Sequence, residues 1–341
     1  MKKLLKGELK DLMKSWAGEY RVLAPTLGIQ GDCLLDTFDE ASFTLDYRKT
    51  PMPPKTAFFP QSEAIFAVEK GEYREVVSAS KTLLFGIRSC DMMGIRQSTS
   101  FMTRDRRDVY SEAKREAATI VVMACPGPQN ETCFCTTMQS GPVARKGFDL
   151  QFFDTGEFFI IEIGSEKGEA ALSLFTLAEL DDDLAEEKVE TFRQSAVGAI
   201  ACVDSVPKAM SRLKDCTADD GVWERFGQKC IQCGGCTFVC PTCTCFNVYD
   251  RPTSPGQGLR ERSWDACLFG GFTREASGHN PRPTQALRLK RRHEHKLLDY
   301  HKTDIQEGLC GCTGCGRCSD FCPVHIGTLE VAGAIAASDG N

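Results

Sequence analysis

Two short apolar runs in the first half of the chain predict buried β-strands. The run at residues 82–87 reads Thr-Leu-Leu-Phe-Gly-Ile, and the run at residues 119–123 reads Thr-Ile-Val-Val-Met. Both have the length of strands that are covered on two faces, where an apolar run is continuous rather than alternating. The stretch between them is polar and reads as a helix. This strand–helix–strand order predicts a parallel α/β unit.

Helical spacing near the amino terminus and two further apolar runs predict the neighbouring elements. Five apolar residues of the segment 1–20 share one helix face: Leu5, Leu9, Leu12, Met13 and Trp16. That face predicts an amphipathic opening helix. The runs at 148–153 and 158–163 flank Asp154-Thr155-Gly156-Glu157 and predict a hairpin. From residue 167 to about 214 the pattern is helical, and Asp181-Asp182-Asp183 has the acidic character of a helix start.

Composition and charge describe an ordinary folded protein. The chain has 341 residues, of which 42% are hydrophobic and 26% charged, which favours a globular fold and permits two domains. With 41 Lys and Arg against 47 Asp and Glu, the net charge of −6 argues against a general nucleic-acid binder. Glu8 interrupts the basic amino terminus before any apolar segment, and no apolar run approaches about eighteen residues. We therefore expect a cytoplasmic protein without a membrane span.

The cysteine content departs from this ordinary composition. The chain has 19 cysteines, and 12 of them lie beyond residue 229. A protein of this length can form a core without disulfides, and a reducing cytoplasm disfavours them. The odd number and the Cys-x-x-Cys runs therefore predict thiolates that bind metal.

The same four-cysteine motif occurs twice in the C-terminal region. The first run is Cys230, Cys233, Cys236 and Cys240, the second is Cys312, Cys315, Cys318 and Cys322, and a proline follows each. This C-x2-C-x2-C-x3-C-P spacing is typical of bacterial ferredoxins with two [4Fe–4S] clusters, in which the fourth cysteine of each run binds the other cluster. We therefore assign cluster 1 to Cys230, Cys233, Cys236 and Cys322, and cluster 2 to Cys312, Cys315, Cys318 and Cys240. The alternative is a non-redox zinc-binding interaction module, although zinc sites usually pair two C-x2-C knuckles.

The long insert between the two runs bears on the fold. Cys240 and Cys312 are separated by 71 residues, far more than in a compact bacterial ferredoxin. With the rise in cysteine density, this predicts an α/β domain over 1–220 and an α-helical ferredoxin-like dicluster domain over 221–341. The insert is basic over residues 282–302, which indicates either a solvated helix face or cations that stabilise reduced clusters. We interpret its histidines as surface residues: His293, His295 and His301.

Six motifs from about residue 50 onwards carry a family resemblance. They are Pro53-Pro54-Lys55 with Phe58-Phe59-Pro60-Gln61, Gly86-Ile87-Arg88-Ser89-Cys90-Asp91, Glu131-Thr132-Cys133-Phe134-Cys135-Thr136, Cys240-Pro241-Thr242-Cys243, Trp264-Asp265-Ala266-Cys267 and the Cys312 run. This combination resembles the 4Fe–4S dicluster subunit family, which includes the β subunit of cytoplasmic sulfhydrogenases and the corresponding iron–sulfur subunit of anaerobic sulfite reductase. Related iron–sulfur subunits occur in flavin oxidoreductases that feed heterodisulfide reductases.

The resemblance implies an electron-transfer subunit of an oxidoreductase complex in anaerobic metabolism, without a catalytic centre of its own. Such subunits relay electrons between a flavin- and NAD(P)H-binding subunit on one side and a hydrogenase, sulfite reductase or heterodisulfide reductase-type subunit on the other. No nucleotide-binding glycine motif is readable, so we expect no flavin or nucleotide on this chain. The alternative is a catalytic reductase subunit in which cysteines around Cys243 and Cys267 hold a substrate-reducing centre.

A third [4Fe–4S] cluster is the further hypothesis, and the resemblance favours it. Cys90 and Cys125 follow the two predicted buried strands, and Cys133 and Cys135 lie on the loop after Cys125. The carboxyl ends of parallel strands open onto one crevice, so the four thiolates can converge there, with Asp91 as an alternative ligand. Buried inert cysteines and a structural zinc ion are the other interpretations. No spacing rule assigns the remaining cysteines near the two runs, which either pack beside the clusters or bind one more centre: Cys243, Cys245, Cys267 and Cys310.

Overall fold

Two β-sheets with helices packed around them organise the chain in a computed structural model that describes residues 1–299 and 310–338. The strands are β1 (Lys2–Leu5), β2 (Arg21–Leu27), β3 (Cys33–Thr37), β4 (Ser62–Glu69), β5 (Glu72–Glu75), β6 (Thr82–Ile87), β7 (Ala118–Met123), β8 (Leu150–Asp154), β9 (Phe158–Ile163), β10 (Ala178–Glu179), β11 (Phe246–Ser254) and β12 (Gln257–Trp264). The helices are α1 (Leu9–Glu19), α2 (Ser89–Thr103), α3 (Val109–Ala117), α4 (Glu166–Leu172), α5 (Asp182–Ala199), α6 (Ser205–Lys214), α7 (Asp220–Lys229), α8 (Gly235–Phe238), α9 (Gln285–Glu294), α10 (Arg317–Asp320) and α11 (Thr328–Ala337).

The larger sheet has the strand order β10-β1-β9-β8-β7-β6-β2-β3. Its centre is parallel, because β6 pairs with β7 and β7 with β8 in the same direction. Helices α2 and α3 connect β6 to β7, which confirms the predicted strand–helix–strand unit. Strands β8 and β9 form the predicted hairpin, with Phe152 opposite Ile161. Nearly every residue of β6 and β7 is buried, which explains their continuous apolar sequences.

The opening helix is present, but it begins later than the apolar pattern predicted. Helix α1 buries four of the five predicted positions against the sheet: Leu9, Leu12, Met13 and Trp16. Leu5 instead ends strand β1, pairs with Phe158 of β9 and remains 49% exposed. The strand pairing therefore overrides the helical spacing at Leu5.

The helical stretch predicted after residue 167 consists of α4, α5 and α6, with the two-residue strand β10 between α4 and α5. The predicted acidic helix start is confirmed. The side chain of Asp181 caps α5 by accepting a hydrogen bond of 3.1 Å from the backbone N–H of Leu184.

The smaller sheet combines strands from both sides of the domain boundary predicted near residue 220. Its order is β11-β12-β4-β5, and all its pairs are antiparallel. The sequence pattern did not predict this sheet. The C-terminal region therefore carries a hairpin, β11–β12, in addition to α7–α11, and the purely helical description of it is not confirmed.

A second apolar cluster also joins the two regions of the chain. It brings Phe134 and Met138, which precede the predicted boundary, against Trp223, Ile326 and other residues that follow it. Helix α6 packs on α11 in the same cluster. Three cysteines of the C-terminal runs pack against this cluster: Cys230, Cys312 and Cys322. Within residues 1–299 and 310–338, no helix is both long enough and apolar enough to cross a membrane.

Candidate iron–sulfur sites

The two four-cysteine runs fold into the same backbone shape. The second residue of each run after its first cysteine has a left-handed φ, +58° at Gln232 and +63° at Gly314. The residue before helix α8 and the residue before helix α10 also have a left-handed φ, +72° at Gly234 and +73° at Gly316. Helices α8 and α10 then carry the third cysteine of each run in their first turn. The repeated motif in the sequence is therefore a repeated loop in the structure.

Hydrogen bonds point at several sulfur atoms of these runs. Backbone N–H groups of Ile326 and Thr328 donate to Cys322 Sγ at 3.2 Å and to Cys318 Sγ at 3.3 Å. The Gln285 amide donates to Cys230 Sγ at 3.0 Å. Donors of this kind stabilise the anionic form of sulfur, and they tune the potential of an iron–sulfur cluster.

The structure places Cys240 of the first run near the second run, to whose cluster it is assigned. Cys240 of the first run lies close enough to Cys315 of the second run for their thiols to interact electrostatically. Cys230 and Cys322 both pack against one apolar cluster. The two groups also adjoin each other, because Cys236 and Cys318 are electrostatic neighbours.

Burial keeps protons on these thiols when no metal is bound. It raises the pKa of Cys236 to about 12, and it raises the pKa values of Cys312 and Cys315. Metal binding would displace these protons. In the described part of the chain, no three or more His, Cys, Asp or Glu side chains are arranged to hold a single metal ion.

The four cysteines predicted after β6 and β7 lie around one small cavity. Its wall contains Cys90, Cys125, Cys133 and Cys135, together with Cys315 of the second run. Burial raises the pKa values of Cys90, Cys125 and Cys135. The sequence predicts that the four thiols converge at one edge of the sheet, but nothing in it indicates Cys315 as a fifth.

Two cations also line this cavity. Arg88 donates from its guanidinium to the carbonyl oxygen of Tyr47 at 2.8 Å and stacks over the ring of the same residue. Lys49 is paired with Asp320 at 2.8 Å and donates to the carbonyl oxygen of Cys315. Positive charge at the cavity wall favours thiolates over thiols. This chemistry fits a cluster bound by cysteine.

Asp91, the alternative ligand, forms an ion pair with Arg317. Its carboxylate is buried, and Arg317 of α10 donates to both oxygens, at 2.8 Å for Oδ2. Burial opposes the charge of Arg317, but Asp91 outweighs this and the pKa of Arg317 is raised. Asp91 as a replacement for a thiolate stays a prediction, and in this structure its two oxygens accept hydrogen bonds from Arg317.

One side of the basic insert is buried in the described part of the chain, up to residue 299. Its residues Arg288, Arg292 and Lys296, spaced by four, lie on one side of α9 and the π-helical turn His295–Asp299, and all three are buried. Arg292 donates to the carbonyl oxygen of Cys236 at 3.1 Å, and Lys296 donates to that of Thr242 at 3.0 Å. The recurrence of a basic residue every four positions is the sequence signal that could have indicated a single buried helix face.

His293 is not the surface residue that was predicted. Its side chain is 0% exposed and its Nδ1 lies 2.9 Å from the carbonyl oxygen of Leu289. Burial and the charge of Arg292 lower its pKa to about 3, so the ring is neutral. His295 is partly exposed, and His301 lies outside the described residues.

Comparison with known proteins agrees with the repeated loop and the gathered thiols. Residues 229–326 match the family described as 4Fe-4S dicluster domain. The chain is 34% identical over 299 residues, which is 87% of this chain and 86% of the relative, to sulfhydrogenase 2 subunit beta of Pyrococcus furiosus. No solved structure matches the chain. The resemblance inferred from the motifs is therefore confirmed, and the chain belongs to the family of sulfhydrogenase β subunits.

Proposed function

We propose that this chain is the iron–sulfur electron-transfer subunit of a hydrogenase-type oxidoreductase complex. It relays electrons between a flavin- and NAD(P)H-binding subunit on one side and the catalytic hydrogenase subunit on the other. The observation that carries the proposal is the pair of identical cysteine loops whose thiols adjoin each other across the two runs. The relative that covers most of the chain is named as part of a sulfhydrogenase, which supports a hydrogenase partner over the sulfite and heterodisulfide reductases.

The proposed ligands follow the ferredoxin rule. Cluster 1 is bound by Cys230, Cys233, Cys236 and Cys322, and cluster 2 by Cys312, Cys315, Cys318 and Cys240. The third cluster is bound by Cys90, Cys125, Cys133 and Cys135 in the cavity beside Cys315. Each cluster supplies one-electron redox chemistry when bound, and the protein supplies ligands, burial and hydrogen bonds to sulfur.

The positions of the thiols support one order of electron transfer. Cys315 belongs to cluster 2 and also lines the cavity of the third cluster. Cys318 of cluster 2 adjoins Cys236 of cluster 1. Cluster 2 therefore lies between the other two, and the third cluster, cluster 2 and cluster 1 form a linear relay.

The proposal is tested by separating the overall reaction of the complex from its two half-reactions. The complex is purified anaerobically with wild-type chain, with Cys318→Ser and with the exposed-cysteine control Cys202→Ser. We expect Cys318→Ser to abolish hydrogen-dependent NAD(P)+ reduction. It should retain hydrogen-dependent viologen reduction at the hydrogenase and NAD(P)H-dependent dye reduction at the flavoprotein.

Two results would contradict the relay. One is an overall reaction that survives in Cys318→Ser at the wild-type rate. The other is substrate reduction by the isolated chain with an artificial electron donor, because a relay subunit performs no bond chemistry of its own.

A further inference from the structure

Arg292 is a buried cation on helix α9. Its side chain is only 2% exposed. One terminal nitrogen of its guanidinium, Nη2, donates to the carbonyl oxygen of Cys236 at 3.1 Å, and the other, Nη1, lies 3.0 Å from Nε2 of His293. The charge of Arg292 is therefore held directly against the third cysteine of the first run.

Both hydrogen-bond partners of Arg292 are uncharged. A guanidinium only donates, so Nε2 of His293 accepts from it, and Nδ1 of the same ring donates to the carbonyl oxygen of Leu289 at 2.9 Å. Because the pKa of His293 is lowered to about 3, its ring stays neutral. In the described part of the chain, α9 forms ion pairs through Lys290 and Arg291, but none forms at Arg292.

The remaining nitrogen of the Arg292 guanidinium has no partner. Its Nε is buried, and among the described residues it forms no hydrogen bond. The Nε–H leaves the planar guanidinium on the same edge as an N–H of Nη2, and this edge faces Cys236. A buried N–H without an acceptor costs free energy, and such groups in proteins commonly serve a bound group. Arg292 therefore has one donor to spare for an acceptor beside Cys236.

The surrounding cysteines indicate the chemistry of that acceptor. Cys236 is a proposed ligand of cluster 1 and Cys318 of cluster 2, and both lie close enough to Arg292 to interact with it electrostatically. The sulfur atoms of a [4Fe–4S] cluster accept hydrogen bonds, and these bonds and the local charge set its potential. Arg317 differs from Arg292, because Asp91 already neutralises it.

We propose that Arg292 sets the reduction potential of cluster 1, by donating its Nε–H to a sulfur atom of the cluster and holding a fixed positive charge beside it. A cluster gains a negative charge on reduction, so a buried cation favours the reduced state and raises the potential. In the relay, Arg292 thus draws electrons from cluster 2 towards cluster 1. This role rests on the proposed cluster 1, but not on the identity of the partner subunits.

A redox titration of the anaerobic chain, followed by electron paramagnetic resonance, tests this role. Wild type is compared with Arg292→Gln, which removes the charge, and with the matched control Lys290→Gln, which removes a charge from the same helix where Lys290 pairs with the exposed Asp220. The signal of cluster 1 is identified by its change in Cys233→Ser. We expect Arg292→Gln to make reduction of cluster 1 about tenfold less favourable, or about 59 mV for a one-electron couple. Lys290→Gln should leave the potential unchanged, since solvent screens its pair.

Iron analysis decides which variant is informative. If Arg292→Gln retains its iron, a wild-type potential of cluster 1 overturns the proposal. If it loses iron, Arg292→Lys decides, because it keeps a cation but lacks the Nε–H. A potential below that of wild type then supports the proposal, and an unchanged potential overturns it. Loss of iron from both variants also overturns it, because Arg292 is then needed for assembly.

The potential of cluster 1 is measured on the chain without its partner subunits, whereas the relay is tested by the overall reaction and the half-reactions of the complex. An unchanged potential in Arg292→Gln therefore leaves the relay standing. Conversely, a lowered potential supports the role of Arg292 even where the overall reaction contradicts the relay.

Discussion

At the scale of single residues, some buried cations of this chain lie beside cysteine segments and others pair with carboxylates. Arg292 and Lys55 lie against cysteines and backbone carbonyls, whereas Arg317 binds Asp91 through two hydrogen bonds. Arg317 is 0% exposed and lies between Cys315 and Cys318 in the second run. The Arg317–Asp91 pair therefore connects the second run directly to α2, where Cys90 lies.

We predict that Asp91→Asn destabilises the protein by about 3–5 kcal/mol, because it leaves the guanidinium of Arg317 buried without its anion. Denaturant unfolding of the anaerobic protein measures the change. Asp250→Asn is the matched control, since it removes the carboxylate of an exposed Arg260 pair, and it should unfold like wild type. Equal unfolding midpoints for Asp91→Asn and the control would refute the structural role of the pair.

The sequence predicts metal ligands that lie close together along the chain. It does not predict contacts between residues that are far apart along the chain. The ferredoxin spacing predicts eight cysteine ligands because three proposed ligands of each cluster lie on one local loop. The sequence offered Asp91 as an alternative ligand beside Cys90, but it did not indicate the partner Arg317, which is 226 positions away. His293 looked exposed because it stands in a basic stretch, but α9 turns it inward.

At the scale of elements, the loops of the two runs contain left-handed backbone conformations, which glycine adopts more freely than other residues. Gly316 has a φ of +73°, and a Cβ built on it would lie 2.7 Å from the carbonyl carbon of Thr132. The segment with Thr132 also carries Cys133 and Cys135. Gly316 therefore allows the loop of the second run to approach the segment that carries Cys133 and Cys135.

We predict that Gly316→Ala reduces the iron content by about four per chain, because the loop can no longer hold Cys315 and Cys318 in position. The control is Gly333→Ala in α11, where an added Cβ meets no atom within 4 Å. Iron analysis of both variants after anaerobic purification measures the effect. A full complement of iron in Gly316→Ala would show that the left-handed loop is not required.

The elements with a strong apolar pattern were predicted, and those without one were missed. Strands β6 and β7 are continuous apolar runs, since both of their faces are covered. Strand β11 is exposed at every residue and contains Pro252, so neither alternation nor burial marks it. Its partner β12 pairs with β4, almost 200 positions earlier, and no local signal reports such a pairing.

At the scale of the whole molecule, the N-terminal and C-terminal regions meet at the cavity proposed for the third cluster. Cys315 of the C-terminal region lines the cavity of Cys90, Cys125, Cys133 and Cys135. The smaller sheet and the second apolar cluster also combine residues from both regions. The domain boundary near residue 220 remains a prediction, because these contacts cross it.

We predict that Cys125→Ser/Cys135→Ser removes the third cluster alone. The variant should contain about four fewer irons per chain than wild type, while the resonance signals of clusters 1 and 2 are retained. Cys202→Ser/Cys216→Ser serves as the control with two exposed thiols removed. If the variant keeps all its iron, the cavity thiols are buried cysteines without a cluster.

The central claim, that this chain carries electrons between two partner subunits, is tested most directly by rapid mixing. The oxidised chain is mixed anaerobically with NAD(P)H and its flavoprotein partner, and the visible absorption of the clusters is followed before and after addition of the hydrogenase subunit. The relay predicts that the clusters bleach in the first mixing step and recover their absorption in the second as hydrogen forms. Clusters that stay oxidised in the first step, or stay reduced while hydrogen forms in the second, would contradict it.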